Sequence, residues 1–96
     1  MIWSGMEVTE ASQVLGVSED ELVERGVKAY LENEVRRVKA EIHSILVRYG
    51  VGSFSELDQM ISSGDLGETD TFEDYTRLDY LVSRREKIER LLGGDG

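Results

Sequence analysis

The longest helical pattern in this chain spans residues 18–50, SEDELVERGVKAYLENEVRRVKAEIHSILVRYG. Ser18 and Glu21 have the spacing of a capping box, in which the serine hydroxyl accepts a hydrogen bond from a backbone N–H of the first turn. Gly50 can adopt the left-handed conformation that ends a helix. Between these ends, apolar side chains recur at intervals of three and four, which places them on one stripe of a helix. The stripe consists of Leu31, Val35, Val38, Ile42, Ile45 and Tyr49. The pattern predicts a helix over about residues 19–49.

Three shorter helical patterns surround this helix. Thr9 can cap a short helix over about residues 9–15, which Gly16 ends. Ser53 and Glu56 repeat the capping-box spacing before a helix over about residues 54–62. The last helix is predicted over about residues 70–92, with acidic residues at its head and basic residues at its tail, the order that the helix dipole favours.

The last helix carries a second apolar stripe. Its members are Leu78, Leu81, Ile88 and Leu92, with Phe72, Tyr75 and Val82 widening it at the front. Arg85 falls in register with this stripe. Such an arginine usually extends to the surface, but it could instead pair with Glu34 or Glu41 on the facing helix and fix the register.

The short connection between the two stripes predicts the fold class. A handful of residues cannot return the chain to the far end of a helix of about 45 Å, so the two long helices should form an antiparallel hairpin. The sequence therefore predicts an all-α fold over a single domain, residues 1–96, with residues 1–8 and 93–96 expected to be flexible. No strand is predicted.

Part of the long helix should lie beyond the reach of the last helix, which spans roughly 31 Å. This part carries four apolar residues, Leu22, Val23, Val27 and Tyr30. The helix at residues 9–15, a second copy of the chain or another protein could cover them, and we expect self-association as a homodimer. Gly26 lies among them and costs roughly 1 kcal/mol relative to alanine in a helix. Either the helix bends at Gly26 or a neighbour packs closely against it.

Acidic residues outnumber basic ones by 20 to 11, which gives a net charge of −9. Nucleic acid is therefore disfavoured as the main partner, because phosphate contacts supply much of that binding energy. The excess is concentrated late in the chain, next to an aromatic residue. We predict that this surface binds a basic protein through Asp65, Glu68, Asp70, Phe72, Glu73 and Asp74. The alternative is a solvated face that keeps the protein soluble.

A second alternative is a DNA-binding regulator. Residues 11–23 have the cadence of a helix-turn-helix, with glycine at the turn and a serine-capped second helix. In a DNA reader the first turns of the second helix enter the groove. Here those turns carry Glu19, Asp20, Glu21 and Glu24. Four carboxylates facing phosphates argue against DNA, and a turn that folds the short helix back on the long one explains the same cadence.

The sequence shows no constellation for catalysis, a cofactor or a metal. It has no cysteine, so thiol chemistry and cysteine-based zinc sites are excluded. His43 is the single histidine and has no second histidine to complete a site, and the acidic residues 65–74 miss the ligand spacing of an EF-hand. We expect a non-enzymatic protein. Residues 1–7 lack the features of a signal peptide and no apolar run could span a membrane, so we expect a cytoplasmic location.

Several short segments together resemble a group of small, mostly uncharacterised archaeal helical proteins. The segments are Val14-Leu15-Gly16-Val17-Ser18, Lys39-Ala40-Glu41-Ile42, Tyr49-Gly50-Val51, Glu73-Asp74-Tyr75 and Leu78-Asp79-Tyr80-Leu81. The resemblance covers roughly residues 14–92. Some proteins of this group are regarded as antitoxin-like partners of an adjacent toxin. The resemblance thus implies a helical protein that binds, and could neutralise, another protein.

Overall fold

A computed structural model describes residues 5–93, with the side chains of residues 7–93 apart from Glu68 and Asp70. It contains four helices: α1 (Gly5–Leu15), α2 (Glu19–Tyr49), α3 (Phe54–Ser62) and α4 (Glu68–Leu91). The predicted all-α fold is confirmed. Across the described range, none of the helices is both long enough and apolar enough to cross a bilayer.

Two helix starts differ from the prediction. Helix α1 begins at Gly5 rather than near Thr9, because no helix-breaking residue separates Gly5 from Thr9. The Thr9 hydroxyl does not cap α1 but donates a hydrogen bond to Glu19 Oε2 at 3.0 Å. Helix α4 begins at Glu68, after Gly67 in an extended conformation. Flexibility is predicted for residues 1–8 and 93–96, and of these, residues 1–4 and 94–96 lie outside the described range.

Both ends of α2 follow the sequence. The backbone N–H of Glu21 donates to Ser18 Oγ at 3.0 Å, as a serine cap requires. At the other end Gly50 has a φ of 67°. The N–H of Val51 reaches the carbonyl of Leu46 at 3.1 Å, and the N–H of Gly50 reaches that of Val47 at 3.1 Å. This is a Schellman motif, and it turns Val51 back into the apolar core.

The chain divides into two compact units, of which the structure describes residues 5–33 and 34–93, so a single-domain organisation stays a prediction. In the first unit, α1 joins α2 through a tight turn at Gly16, whose φ is 72°. The carbonyl of Ser12 accepts hydrogen bonds from the N–H groups of Gly16 and Val17 at 2.9 and 3.1 Å. The Ser12 side chain is buried and donates to the Thr9 carbonyl at 2.8 Å.

The second unit contains the apolar core. The part of α2 from Glu34 onward and helix α4 run antiparallel, with α3 packed across them. Buried side chains come from all three helices and from the turn after α2: Val38, Ile42, Ile45, Leu46, Val51, Leu57, Leu78 and Leu81. The predicted helical hairpin is therefore confirmed. Phe72 departs from the predicted stripe, since its side chain is 67% exposed.

Ion pairs between α2 and α4 flank this core and fix its register. Arg77 holds Glu41 through two hydrogen bonds of 2.7 and 3.0 Å. Arg84 donates to Glu34 at 2.8 Å. Arg85, which the sequence placed as the possible partner of Glu34 or Glu41, instead lies 3.8 Å from Glu89 on its own helix. The neighbouring Arg84 lies on the flank of α4 that faces Glu34, so the predicted interhelical pair exists with a different arginine.

Candidate functional site

The surface formed by α3 and the start of α4 has an unusual charge distribution. Between Arg48 and Arg77 the sequence contains no lysine, arginine or histidine. The same interval contains seven carboxylates: Glu56, Asp58, Asp65, Glu68, Asp70, Glu73 and Asp74. Elsewhere in the second unit, Glu41 and Glu34 of α2 pair with arginines of α4, and within this surface Asp74 pairs with Arg48 of α2. The charge of this surface is therefore uncompensated by its own segment of chain.

The predicted partner-binding residues have different roles in the structure. Phe72 and Glu73 are exposed on α4. Asp65 is exposed in the loop before α4, where its carboxylate accepts a hydrogen bond from Ser63 at 3.0 Å. Glu68 and Asp70 lie in the first turn of α4, with side chains outside the described set. These positions place the predicted residues around one end of α4.

Asp74, unlike Asp65 and Glu73, joins two helices of the fold. Its two carboxylate oxygens accept hydrogen bonds from Arg48 at 3.0 Å and from the Tyr49 hydroxyl at 2.6 Å. Both donors lie in the last turn of α2. Asp74 therefore ties the end of α2 to α4, and a partner would compete with Arg48 for it.

A groove between α3 and α4 adjoins these residues and was not predicted from the sequence. It encloses about 330 Å³. Its walls are formed by Asp58, Ile61 and Ser62 of α3 and by Thr71, Phe72 and Tyr75 of α4. No sequence signal indicates it, because the periodicity assigns Phe72 to the front of the α4 stripe, and the exposure of Phe72 appears only in the structure. On the α3 wall Ile61 is partly buried against the core, whereas Phe72 on the α4 wall is exposed.

Tyr75 fixes the wall of this groove. Its ring packs against Phe54, with ring centroids 5.0 Å apart and a tilt of 42°. Its hydroxyl donates to Asp58 Oδ1 at 3.0 Å, which links α4 to α3. This hydrogen bond raises the pKa of Tyr75, and burial and the charges of Asp58 and Asp79 raise it further. The Tyr75 hydroxyl therefore stays protonated and donates to Asp58, and Asp79 lies near enough for its charge to act on this hydroxyl.

The predicted self-association residues lie in the first unit. Val23, Val27 and Tyr30 are 52%, 55% and 71% exposed, whereas Leu22 is half-buried. A Cβ added at Gly26 would meet nothing within 4 Å. No close packing within the described chain thus accounts for this glycine, and the exposed residues around it form an apolar patch on α2.

The first turns of α2, which a DNA reader would present to the groove, are acidic in the structure. Glu19, Asp20 and Glu24 are exposed, and Glu21 pairs with Arg25 at 2.6 Å. His43 is exposed on α2. In the part of the chain that the structure describes, no group of three or more histidine or acidic side chains is arranged to hold a metal ion.

Comparison with known proteins gives a family. The model of the Uncharacterized protein MJ0235 family matches residues 6–93. The chain belongs to this family. Uncharacterized protein MJ0235 of Methanocaldococcus jannaschii is 27% identical over 73 residues, which cover 76% of this chain and 89% of the relative. No solved structure matches the chain significantly. Membership of the MJ0235 family agrees with the resemblance to small archaeal proteins, and the match includes α2, α3 and α4 in full.

Proposed function

We propose that this protein is a non-enzymatic interaction module that binds a basic protein through the surface of α3 and the start of α4. The observation that carries the proposal is the interval between Arg48 and Arg77, which has seven carboxylates and no basic residue. Charge of one sign steers an oppositely charged partner and speeds association. Phe72 supplies the exposed apolar contact that charge alone lacks.

A non-enzymatic role fits the use of the titratable groups. Arg37 and Arg84 lower the pKa of Glu34 to about 2, and Arg77 lowers that of Glu41. These carboxylates hold α2 against α4, and neither lines the groove. Perturbed pKa values indicate catalytic sites most strongly when the groups face a cleft. The ion pairs explain the shifts of Glu34 and Glu41. Tyr75 does line the groove, but its hydrogen bond to Asp58 raises its pKa and keeps the phenol protonated.

One form of this proposal is an antitoxin-like role, in which the bound basic protein is a toxin. It is supported by the resemblance to archaeal proteins of that kind and by the acidic surface. DNA binding is the competing role, and the exposed carboxylates at Glu19, Asp20 and Glu24 oppose it. Retention of the protein on DNA at low salt would favour the competing role.

We also propose that the chain self-associates through α2. Val23, Val27 and Tyr30 are spaced at four and three, so they share one face of the helix, and all three are exposed. Apolar surface of this kind on a small protein is commonly covered by a symmetric copy.

Charge reversal tests the proposed function. The partner is first isolated by co-purification from the native organism, and its binding to the wild type is then compared with a variant carrying Asp65→Lys and Glu73→Lys. A matched control carries Glu24→Lys and Glu32→Lys, which change the net charge equally on exposed positions of α2. We expect the first variant to slow association and flatten its salt dependence, and the control to do so much less.

Two results would count against the proposal. Equal on-rates of the wild type and the first variant at low salt would show that the surface is only solvated. Equal slowing by both variants would show that net charge, rather than this surface, controls binding.

A further inference from the structure

The groove between α3 and α4 combines apolar walls with an acidic edge. Ile61, Phe72 and the ring of Tyr75 supply apolar surface, and the volume of about 330 Å³ admits a large aliphatic side chain with its neighbours. Phe72 is 67% exposed, and a ligand side chain that enters the groove would bury part of its ring. An exposed aromatic residue beside an apolar cleft is the composition of an interaction hot spot.

Negative charge near the groove disfavours anionic ligands. Asp58 lines the groove, and Asp79 lies near enough to influence the Tyr75 hydroxyl. Asp79 makes no hydrogen bond or ion pair within the described residues. The nearest basic residue in sequence, Arg77, is already engaged by Glu41. Asp58 thus supplies a carboxylate on the α3 wall, where it also accepts the Tyr75 hydroxyl, and Asp79 follows one turn after Tyr75 on α4, beyond the residues that line the groove.

We propose that this groove binds a basic amphipathic helix of a protein partner, with an apolar side chain inserted beside Phe72 and lysine or arginine side chains at Asp58 and Asp79. An amphipathic helix in a groove between two helices buries its apolar face and leaves its basic face at the rim. This assignment rests on the proposed function, because it places the basic partner's contact in one groove. The groove assignment adds one requirement for the partner: its helix has apolar residues on one face, at intervals of three and four, and basic residues beside that face.

Two synthetic peptides of about 15 residues test the assignment by fluorescence anisotropy with the full chain. Both contain the same leucines, alanines and lysines. In the first, leucines recur at intervals of three and four, and in the second the order is scrambled so that no apolar face exists. We expect the amphipathic peptide to bind roughly tenfold more tightly than the scrambled peptide.

Substitutions in the protein locate the binding. Phe72→Ala should weaken binding of the amphipathic peptide roughly tenfold, while Leu91→Ala, which removes an equally exposed apolar side chain near the other end of α4, should not. Asp79→Asn should weaken binding and lower its salt dependence. A second measurement records amide shifts in the wild type: the peptide should move Ile61, Ser62 and Thr71 but leave the amide of Val27 in the first unit unchanged.

The outcomes separate this inference from the proposed function. Equal affinity for both peptides, unaffected by Phe72→Ala, would overturn the groove assignment and leave an acidic surface that attracts bases without an apolar pocket. Failure of both peptides to bind at about 100 µM would also overturn it. The proposed function is tested separately: it fails if charge reversal at Asp65 and Glu73 leaves association with the native partner unchanged, or slows it no more than the control variant does.

Discussion

Leu78→Ala should destabilise the second unit more than any substitution on the exposed face of α4. Leu78 is completely buried, and it packs in the cluster that joins α2, α3 and α4. Truncating such a leucine costs about 2–5 kcal/mol, because the methyl groups lose their burial and the remaining cavity closes only in part. Since three helices hold the cavity open from different sides, we expect about 3 kcal/mol.

This loss should be large in a thermal melt. For a domain of this size, 1 kcal/mol corresponds to a change in Tm of about 4–8 °C, so Tm should fall by about 12–24 °C. The measurement is far-UV circular dichroism during heating and during urea titration. Leu91→Ala is the matched control, because the same truncation on the same helix removes a side chain that is 73% exposed. It should cost less than about 0.5 kcal/mol.

A third variant separates cavity formation from a change of shape. Leu78→Met nearly conserves volume and should cost less than about 1.5 kcal/mol. Equal urea midpoints for Leu78→Ala and Leu91→Ala would refute the buried position of Leu78 and, with it, the hairpin. A loss as large for methionine as for alanine would show that side-chain shape, rather than cavity volume, controls stability at this site.

Three further predictions concern charge, backbone and association. Arg37 and Arg84 lower the pKa of Glu34 from 4.5 to about 2, so the stabilisation by the Glu34 ion pairs is present above pH 4.5 and disappears as the pH falls towards 2. Glu34→Gln should therefore lower Tm at neutral pH, and the difference in Tm between variant and wild type should shrink between pH 4.5 and 2. A difference in Tm that stays constant over this interval would contradict the prediction. Gly26→Ala should raise the free energy of unfolding by about 0.5–1 kcal/mol, because the added Cβ meets nothing within 4 Å, whereas Gly16→Ala, at a φ of 72°, should lower it. Val27→Asp should convert a dimer to a monomer in sedimentation, and a wild-type mass near 10.8 kDa at tens of micromolar would rule the dimer out.

Local signals predicted most of the fold. The serine caps and the glycine ends act within one or two turns, so Ser18, Ser53 and Gly50 fixed three helix boundaries. The apolar stripe of α2 predicted which residues are buried from Val35 to Ile45. The start of α1 could not be predicted as well, because Thr9 is an acceptable cap and only the contact with Glu19 shows that it serves another purpose.

Interhelical contacts were harder to predict. The choice between Arg84 and Arg85 as the partner of Glu34 depends on the rotation of α4 about its axis, and the two neighbouring arginines differ by one residue on that helix. The groove depends on the separation of α3 from α4, which no periodicity encodes. That Phe72 and the nearby acids form an interaction surface stays a prediction, and the sequence could not show which acids the fold itself uses, as Asp74 illustrates.

Some acidic residues of α4 lie where the helix dipole favours negative charge, and others do not. Glu68 and Asp70 lie in the first turn of α4, where the helix dipole favours negative charge without any partner. Asp79 lies in the middle of α4, where the dipole provides little, and no cation within the described residues offsets it. The hydrogen bond to Asp58 raises the pKa of Tyr75, and the charge of Asp79 adds to that effect. An uncompensated charge at a site with an exposed aromatic neighbour is the kind of local conflict that proteins retain at binding surfaces. The helix dipole thus explains the positions of Glu68 and Asp70, whereas the proposed binding groove would explain that of Asp79.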